Sequence, residues 1–292
     1  MAFTIDGLTY QLISSKSVVV SSASKTLTTI QIPDSVSYEG FSFAVTNIAR
    51  YAFFDCINLS SVTIPRTITS IGMDAFAGTA LYKDKNNWKD GSLYIDDCLI
   101  KVTKNHKGHY TIQPNTRVIG SAAFYGCTRL TSVTIPNSVT SMGNYAFYGC
   151  TRLRSIDIPQ SVTTIGLGSF AGTKIYSNKA NWKNGALYVD TCLIRVSEKY
   201  VGDYQVKANT RLIANYAFFS CAKLTSITVP ANVINIGIHP FYSCSKLTAI
   251  HFEGTISQWA DIHTDLWKYY ANIRSIRCAD DELIVKDEQI EK

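Results

Sequence analysis

Eight cysteines, five histidines and one glycine-rich octapeptide are the residues of this 292-residue chain whose types and spacing invite chemistry. Cys56, Cys127, Cys150, Cys221 and Cys244 recur at one position of an internal repeat, and Thr79 and Thr173 take that position in two further copies. No C-x-x-C occurs among them or around Cys98, Cys192 and Cys278, so neither a zinc site nor a dithiol redox motif is written here. Adjacent copies of the repeat place Cys127 near Cys150 and Cys221 near Cys244, about one ladder spacing (~4.8 Å) apart and inside the Cα range of a disulfide. Two readings stay open: buried free thiols acting as small core residues, the usual fate of unpaired cysteine, or bridges between copies.

The histidines are His106, His109, His239, His251 and His263. His106 and His109 form H-x-x-H in NHKGHY, but a duplicated block has Tyr200 and Asp203 at the matching positions. A metal needs further ligands within reach, and none recurs, so the pair reads as solvated loop. IGLGSFAG, residues 165–172, imitates the dinucleotide fingerprint G-x-G-x-x-A. That motif works where a strand ends and a full-length helix opens, whereas Gly166 is simply the repeat glycine, equivalent to Gly72 and Gly143. No G-x-S-x-G, H-E-x-x-H or phosphate-binding loop appears. Asp96 and Asp97 fall at the turn of a predicted hairpin, LYI-DD-CLI. Glycoside hydrolysis needs two carboxylates across a cleft, and a convex rod of flat sheets is expected to offer none. The chain reads as non-catalytic, with no cofactor and no metal.

The elements that position these residues come from the repeat. Its unit is L-x-x-[VI]-x-[IV]-P-x-x-[VI]-x-x-[IM]-G-x-x-[AS]-F-x-x-[CT], with phenylalanines at 53, 76, 124, 147, 170, 218 and 241. Their spacings are 23, 48, 23, 23, 48 and 23, so each long gap is one 23-residue unit plus 25 inserted residues. A larger period of 94 relates Phe76 to Phe170, Trp88 to Trp182, Cys98 to Cys192 and Cys127 to Cys221. Whole-block duplication suits an architecture in which each unit touches mainly its neighbours.

In one unit, Val133-Thr134-Ile135 alternates as a half-buried strand does. Pro136 removes a backbone donor and ends the ladder. Val139 and Met142 then turn inward, Gly143 sits where a Cβ would crowd, and Ala146 and Phe147 plug the far side. The segment is one flattened coil, its opposing face made of short turns or a single helical turn. Strand rows begin at Leu27, Leu59, Tyr110, Leu130, Leu153, Tyr204, Leu224 and Leu247. Stacked at about 4.8 Å they make a rod of roughly 35–40 Å. The predicted fold is a mainly-β solenoid of 23-residue coils spanning residues 27–252, with hairpin-bearing insertions at about 80–109 and 174–203. Residues 1–26 and 253–292 are the expected caps, the second with Ile256, Trp259 and Ile262 at helical spacing, a final strand pair in IRSIRCADDELIV, and a solvated acidic end.

Composition agrees. Hydrophobic residues make up 46% of the chain and charged ones 17%, too apolar for disorder, and the abundance of Thr, Ser, Ile, Val and Tyr favours strands. A net charge of +6 does not by itself call for nucleic acid. No run of about 18 apolar residues is present, so no membrane span is expected. MAFTIDGLTYQL lacks a basic region followed by an apolar block and is not read as a signal peptide.

The unit LTSVTIPNSVTSMGNYAFYGC resembles the BspA-like leucine-rich repeats, also called the Treponema pallidum type. The resemblance runs from about Leu27 to Phe252. The insertions NWKDGSLYIDDCLIKV and NWKNGALYVDTCLIRV and the later FEGTISQWADI are similar to elements within such arrays. It implies a leucine-rich-repeat solenoid and a secreted or surface-displayed bacterial adhesion protein, with host matrix or another microbe's surface as partner. The alternative is a cytoplasmic protein-interaction scaffold, free or embedded in an assembly.

Solenoids bind along an extended face. Here the outward strand positions form a Ser/Thr carpet, which also simply suits a solvated sheet. Arg154, Asp157, His109, Asp203 and Gln205 break it and are the candidate partner-binding residues. Eight short strands offer on the order of 500 Å², against about 800 Å² per partner in a standard interface. The insertions must therefore contribute, and Tyr94 and Tyr188 are their candidates. Trp88 and Trp182, in identical contexts, are expected to pack the insertions' own small cores. The protein is expected to be a monomer that binds a protein or a glycan.

Overall fold

No 23-residue coil can bury its own row of Leu, Val/Ile and Phe, so each coil is completed by the next. The computed structural model describes residues 1–262, 272–286 and 289–291, which leaves His263 outside the described residues. The chain divides into two units: Met1–Val162 with Gly168–Lys174, and Thr163–Leu167 with Ile175–Lys292.

In the first unit the chain opens with an antiparallel meander, Ala2–Ile5, Leu8–Leu12 and Ser17–Ala23. The predicted strand rows follow: Thr29–Gln31 pairs in parallel with Ser61–Thr63, and Gly108–Thr111 with Leu130–Thr134 and then Ser155–Ile156. In the second unit Val201–Gln205, Lys223–Val229, Ala249–Phe252 and Ser275–Arg277 run parallel. Glu282–Lys286 and Gln289–Glu291 then add antiparallel strands, so the acidic end is partly built into the sheet.

The inward files are as dry as the repeat requires. Leu59, Leu130, Leu153 and Leu224 are fully buried, as are Val139 and Met142. Repeat phenylalanines stack ring on ring in the first unit: Phe53 on Phe76 at 5.1 Å, and Phe124 on Phe147 at 4.8 Å. Each such side chain contributes about 1.5–3 kcal/mol by leaving water.

The opposing side of the coil is made of the expected short turns and not the single helical turn, and it holds one element that was not expected. It carries a second short ladder, in which Cys98–Val102 pairs with Val118–Ile119 and that with Ser141–Met142. In the second unit Cys192–Val196, Leu212–Ile213 and Asn235–Ile236 do the same. The segment around each repeat Phe is a run of tight turns, not a helix. Its backbone donors are spent between coils: Ala122 N–H reaches Asn144 O, Phe124 N–H Ala146 O and Gly126 N–H Tyr148 O, each at 2.8 Å. Ala122, Tyr145 and Tyr216 hold φ near +57° (58°, 56° and 56°), which a right-handed helix forbids. Gly143 is required by close approach, since a Cβ there would stand 2.5 Å from Ser121 N on the preceding coil.

One further element was not expected: Ser35–Tyr38 and Phe41–Ile48 form a hairpin about Glu39-Gly40. It accounts for the spacing of 32 from Leu27 to Leu59, nine more than one repeat. Among the described residues α-helices are confined to Ala80–Lys83, Lys174–Ser177 and Ile256–Asp261, and short 3-10 turns follow the first two at Lys85–Asn87 and Lys179–Asn181. Thr79 explains its departure from the repeat cysteine: its Oγ1 accepts from Tyr82 N at 3.0 Å and caps the first helix. The last helix begins with a full capping box, Thr255 with Gln258, and buries Trp259.

Candidate functional site

The strand face positions its side chains by alternation, so residues two apart share the solvent side. In the first unit His109 lies outward on Gly108–Thr111. Its Nδ1 is 2.8 Å from Ser132 Oγ, and its Nε2 is 3.2 Å from both Thr111 Oγ1 and Thr134 Oγ1. The hydroxyl carpet thus holds the imidazole in place. Arg154 and Asp157 flank Ser155–Ile156, two strands further along the same sheet, and both are exposed. They share His109's sheet without meeting it.

In the second unit Asp203 takes the position of His109. Its Oδ1 accepts from Thr225 Oγ1 at 2.6 Å and Ser226 Oγ at 2.7 Å. The Thr225 hydrogen bond first, the Ser226 one next and the nearby His251 last hold its carboxyl below the ordinary value, against a small opposing effect of desolvation. Gln205, two residues on, donates from Nε2 to Glu253 Oε1 at 3.3 Å. Asp203 and Gln205 therefore share one strand, with His251 and Glu253 two coils further along the same sheet.

The insertions are built alike. Each is a hairpin, Ser92–Ile95 with Cys98–Val102 and Ala186–Val189 with Cys192–Val196. Asp96 stands at the turn with φ 49°. Trp88 Nε1 donates to Tyr82 O at 2.8 Å and Trp182 Nε1 to Tyr176 O at 2.7 Å, each indole edge-on to the same tyrosine at 5.2 Å. Both tryptophans pack their own insertion, as the matching contexts predicted. Tyr94 and Tyr188 are half-buried, and their hydroxyls lie 3.2 Å from those of Tyr110 and Tyr204.

The expectation that flat sheets leave no cleft is overturned. In the first unit the strand ladder is interrupted between Ser61–Thr63 and Gly108–Thr111, because the hairpin enters there. The gap is an open cleft of about 480 Å³ between Ser60–Val62, the hairpin and Gln113. Asp96 is the single carboxylate among its lining residues, so the two-carboxylate arrangement of a glycosidase is not formed.

The cysteines resolve toward the core reading. All eight are buried and unbridged. Cys150 Sγ donates to Phe124 O at 3.1 Å, and Cys244 Sγ to Phe218 O at 3.0 Å. Hydrogen bonding to Cys127 and then burial push the Cys150 thiol far up, and Cys221 does the same to Cys244. Among the described residues no group of three His, Cys, Asp or Glu could hold a metal ion, and no helix is long and apolar enough to cross a membrane.

A second surface escaped sequence reasoning. The residue after the repeat Phe projects outward on the turn side, where Tyr125 stacks on Tyr148 at 5.1 Å and Phe219 on Tyr242 at 5.8 Å. Lys101 lies 6.0 Å from the Tyr125 ring and Arg195 5.3 Å from that of Phe219. The recurring F-[FY]-x-C was the available signal.

A model of the BspA type leucine-rich repeat region matches residues 21–98, 102–186 and 199–286, in six copies. No curated protein matches the chain. Among solved structures, the pneumococcal vaccine antigen PcpA is similar at 13% identity, covering 98% of this chain and 99% of that one with a TM-score of 0.35. A leucine-rich cell surface protein of Faecalibacterium prausnitzii is similar at 18% identity, with 91% and 98% coverage and a TM-score of 0.28. The leucine-rich repeat protein of T. pallidum is similar at 19% identity, with 86% coverage of each chain and a TM-score of 0.24.

Proposed function

The chain belongs to the BspA-type leucine-rich repeat family, and from that premise we propose a non-catalytic recognition protein, displayed at the cell surface for adhesion, that binds a protein or glycan partner through its strand face and insertions. The observation that carries this reading is the preorganised outward face. His109 and Asp203 occupy the same position of the duplicated block, and each is held by hydroxyls of the adjoining coil. Side chains already fixed in place lose less entropy on binding. Their difference in charge gives two otherwise equal frames different preferences. Surface display is what membership of the family implies.

The test is a binding screen of the full chain against host matrix proteins and glycans, repeated with Arg154→Thr, Asp157→Thr and His109→Thr. The expected outcome is a bound partner whose affinity falls about tenfold or more in at least one variant, the equivalent of about 1.4 kcal/mol. An unchanged signal in all three moves the site off this face.

A further inference from the structure

We propose that the cleft of the first unit is a binding site for a neutral saccharide, with one sugar ring packed on the face of Tyr94. The inference rests on the reading of the chain as a recognition protein and assigns the ligand class of one site in it.

The cleft's volume, about 480 Å³, lies in the range of about 300–1,000 Å³ typical of small-ligand sites. Its charge is balanced, because Lys89 and Asp96 are the only ionised side chains among the lining residues. An anion would meet the carboxylate, and a cation the ammonium. The remaining polar groups are amides and hydroxyls, among them Asn86, Gln113 and Ser61. A primary amide presents a donor and an acceptor in one plane, which suits adjacent hydroxyls on a ring.

The hydroxyl of Tyr94 is already committed. Tyr110 Oη donates to Ser92 Oγ at 2.6 Å, so Tyr94 Oη donates to Tyr110 at 3.2 Å while accepting from Gln113 N at 3.3 Å. What Tyr94 offers a ligand is its ring, a surface for the C–H face of a sugar. Strand addition by a peptide is disfavoured at both open edges. Asp96 Oδ2 takes Ile64 N–H at 2.7 Å, and Tyr94 takes Gln113 N–H. An added strand would displace both, whereas a saccharide leaves them in place and uses the second oxygen of Asp96.

The duplicated block provides the contrast. Residues 86, 92 and 113 are Asn, Ser and Gln, and their counterparts at 180, 186 and 207 are Ala, Ala and Lys. Lys207 keeps the same backbone hydrogen bond to Tyr188 Oη, at 3.2 Å, but lays its ammonium 4.0 Å from the centre of that ring. The first block thus leaves the tyrosine face open beside neutral polar groups, where the second covers it with a cation.

The experiment is an array of neutral oligosaccharides, anionic oligosaccharides and extended peptides probed with the full chain, its Gln113→Lys variant and the Asn86→Ala/Gln113→Lys double variant. Both changes import residues that this scaffold already carries in the second block. The expected result is binding to neutral saccharides that weakens about tenfold or more in the double variant, the equivalent of about 1.4 kcal/mol, with an unaltered melting temperature. Neutral-saccharide binding that is unchanged in the double variant overturns the proposal. So does a cleft-dependent signal restricted to anionic glycans or peptides, or no saccharide bound at all. If a matrix protein still binds with sensitivity to His109 or Arg154, only the saccharide assignment falls; if nothing binds, the recognition reading falls with it.

Discussion

The blocks related by 94 residues are two solutions to one folding problem, and they differ where folding is indifferent. Their interiors repeat many of the same contacts. Tyr110 meets Phe124 edge-on at 5.1 Å and Tyr204 meets Phe218 at 5.3 Å. Cys127 Sγ is 3.6 Å from Thr103 O and Cys221 Sγ 3.5 Å from Ser197 O. Their outward positions diverge, His109 against Asp203 and Gln113 against Lys207, and so does one buried position of the insertions, Ser92 against Ala186. One partly buried position diverges too. Asp97 pairs with Arg117 through both oxygens, at 3.1 and 3.2 Å, and Arg117 also reaches the carbonyls of Ile68 and Pro65. The second block has Thr191 at that place, beside Arg211. Stacking therefore constrains the spine of a coil and leaves its outer face, and one electrostatic staple, open to change.

The largest effects should be those that the two blocks share. Phe124→Ala and Phe218→Ala each remove a buried ring held between a phenylalanine of the next coil and an edge-on tyrosine, and are expected to cost about 3–5 kcal/mol. Urea denaturation should give both losses within about 1 kcal/mol of each other, because each ring depends mainly on adjacent coils. A twofold disparity would mean that the blocks are not energetically equivalent.

A smaller effect should separate them. Asp97→Thr imports the residue of the second block and leaves a partly buried guanidinium with only carbonyls and the Cys98 sulfur as partners, at an expected cost of about 1–3 kcal/mol. Thr191→Asp should stabilise by less, since Arg211 is already accommodated. Equal and opposite effects in the two variants would show that the staple is transferable. No effect in either would show that it is incidental.

The smallest effect concerns the strand face. The carboxyl of Asp203 is held below its ordinary value by hydrogen bonds to the ionised form, chiefly from Thr225. Its contribution is therefore complete above the unfolded-state value of about 3.9 and disappears as pH falls through the lower folded-state value. Melting temperatures of the wild type and Asp203→Asn should differ slightly but constantly from about pH 5 to 8 and converge below about pH 4. A gap that instead widens on acidification would reverse the sign of the assignment.

Several elements were legible in advance for identifiable reasons. The strand rows could be located because Leu and Val/Ile recur every 23 residues. The insertion hairpin could be located because Asp96-Asp97 separates two apolar runs. The tryptophans were assigned to their own insertions because both sit in one context. The second ladder stayed hidden, since Ser141–Met142 and its counterparts are two residues long and carry no alternation to detect. The exposed rings at Tyr125 and Tyr148 were overlooked because an aromatic beside the repeat Phe looks like more core. Of the candidate residues, His109 and Asp203 gained their organisation from hydroxyls 22 to 25 positions away.

By itself, the sequence determined the coil length, the inward files, the duplication and the membership of the family. It could do so because every coil makes the same local choices and repetition amplifies them into a pattern. Only the tertiary structure decided that inserting a hairpin would part the strand ladder. The resulting cleft draws its walls from residues 60–62, 81–96 and 113. No one of those segments contains a motif, and they meet because Asp96 and Tyr94 supply, from side chains, the hydrogen bonds that an uninterrupted ladder would have supplied from a backbone.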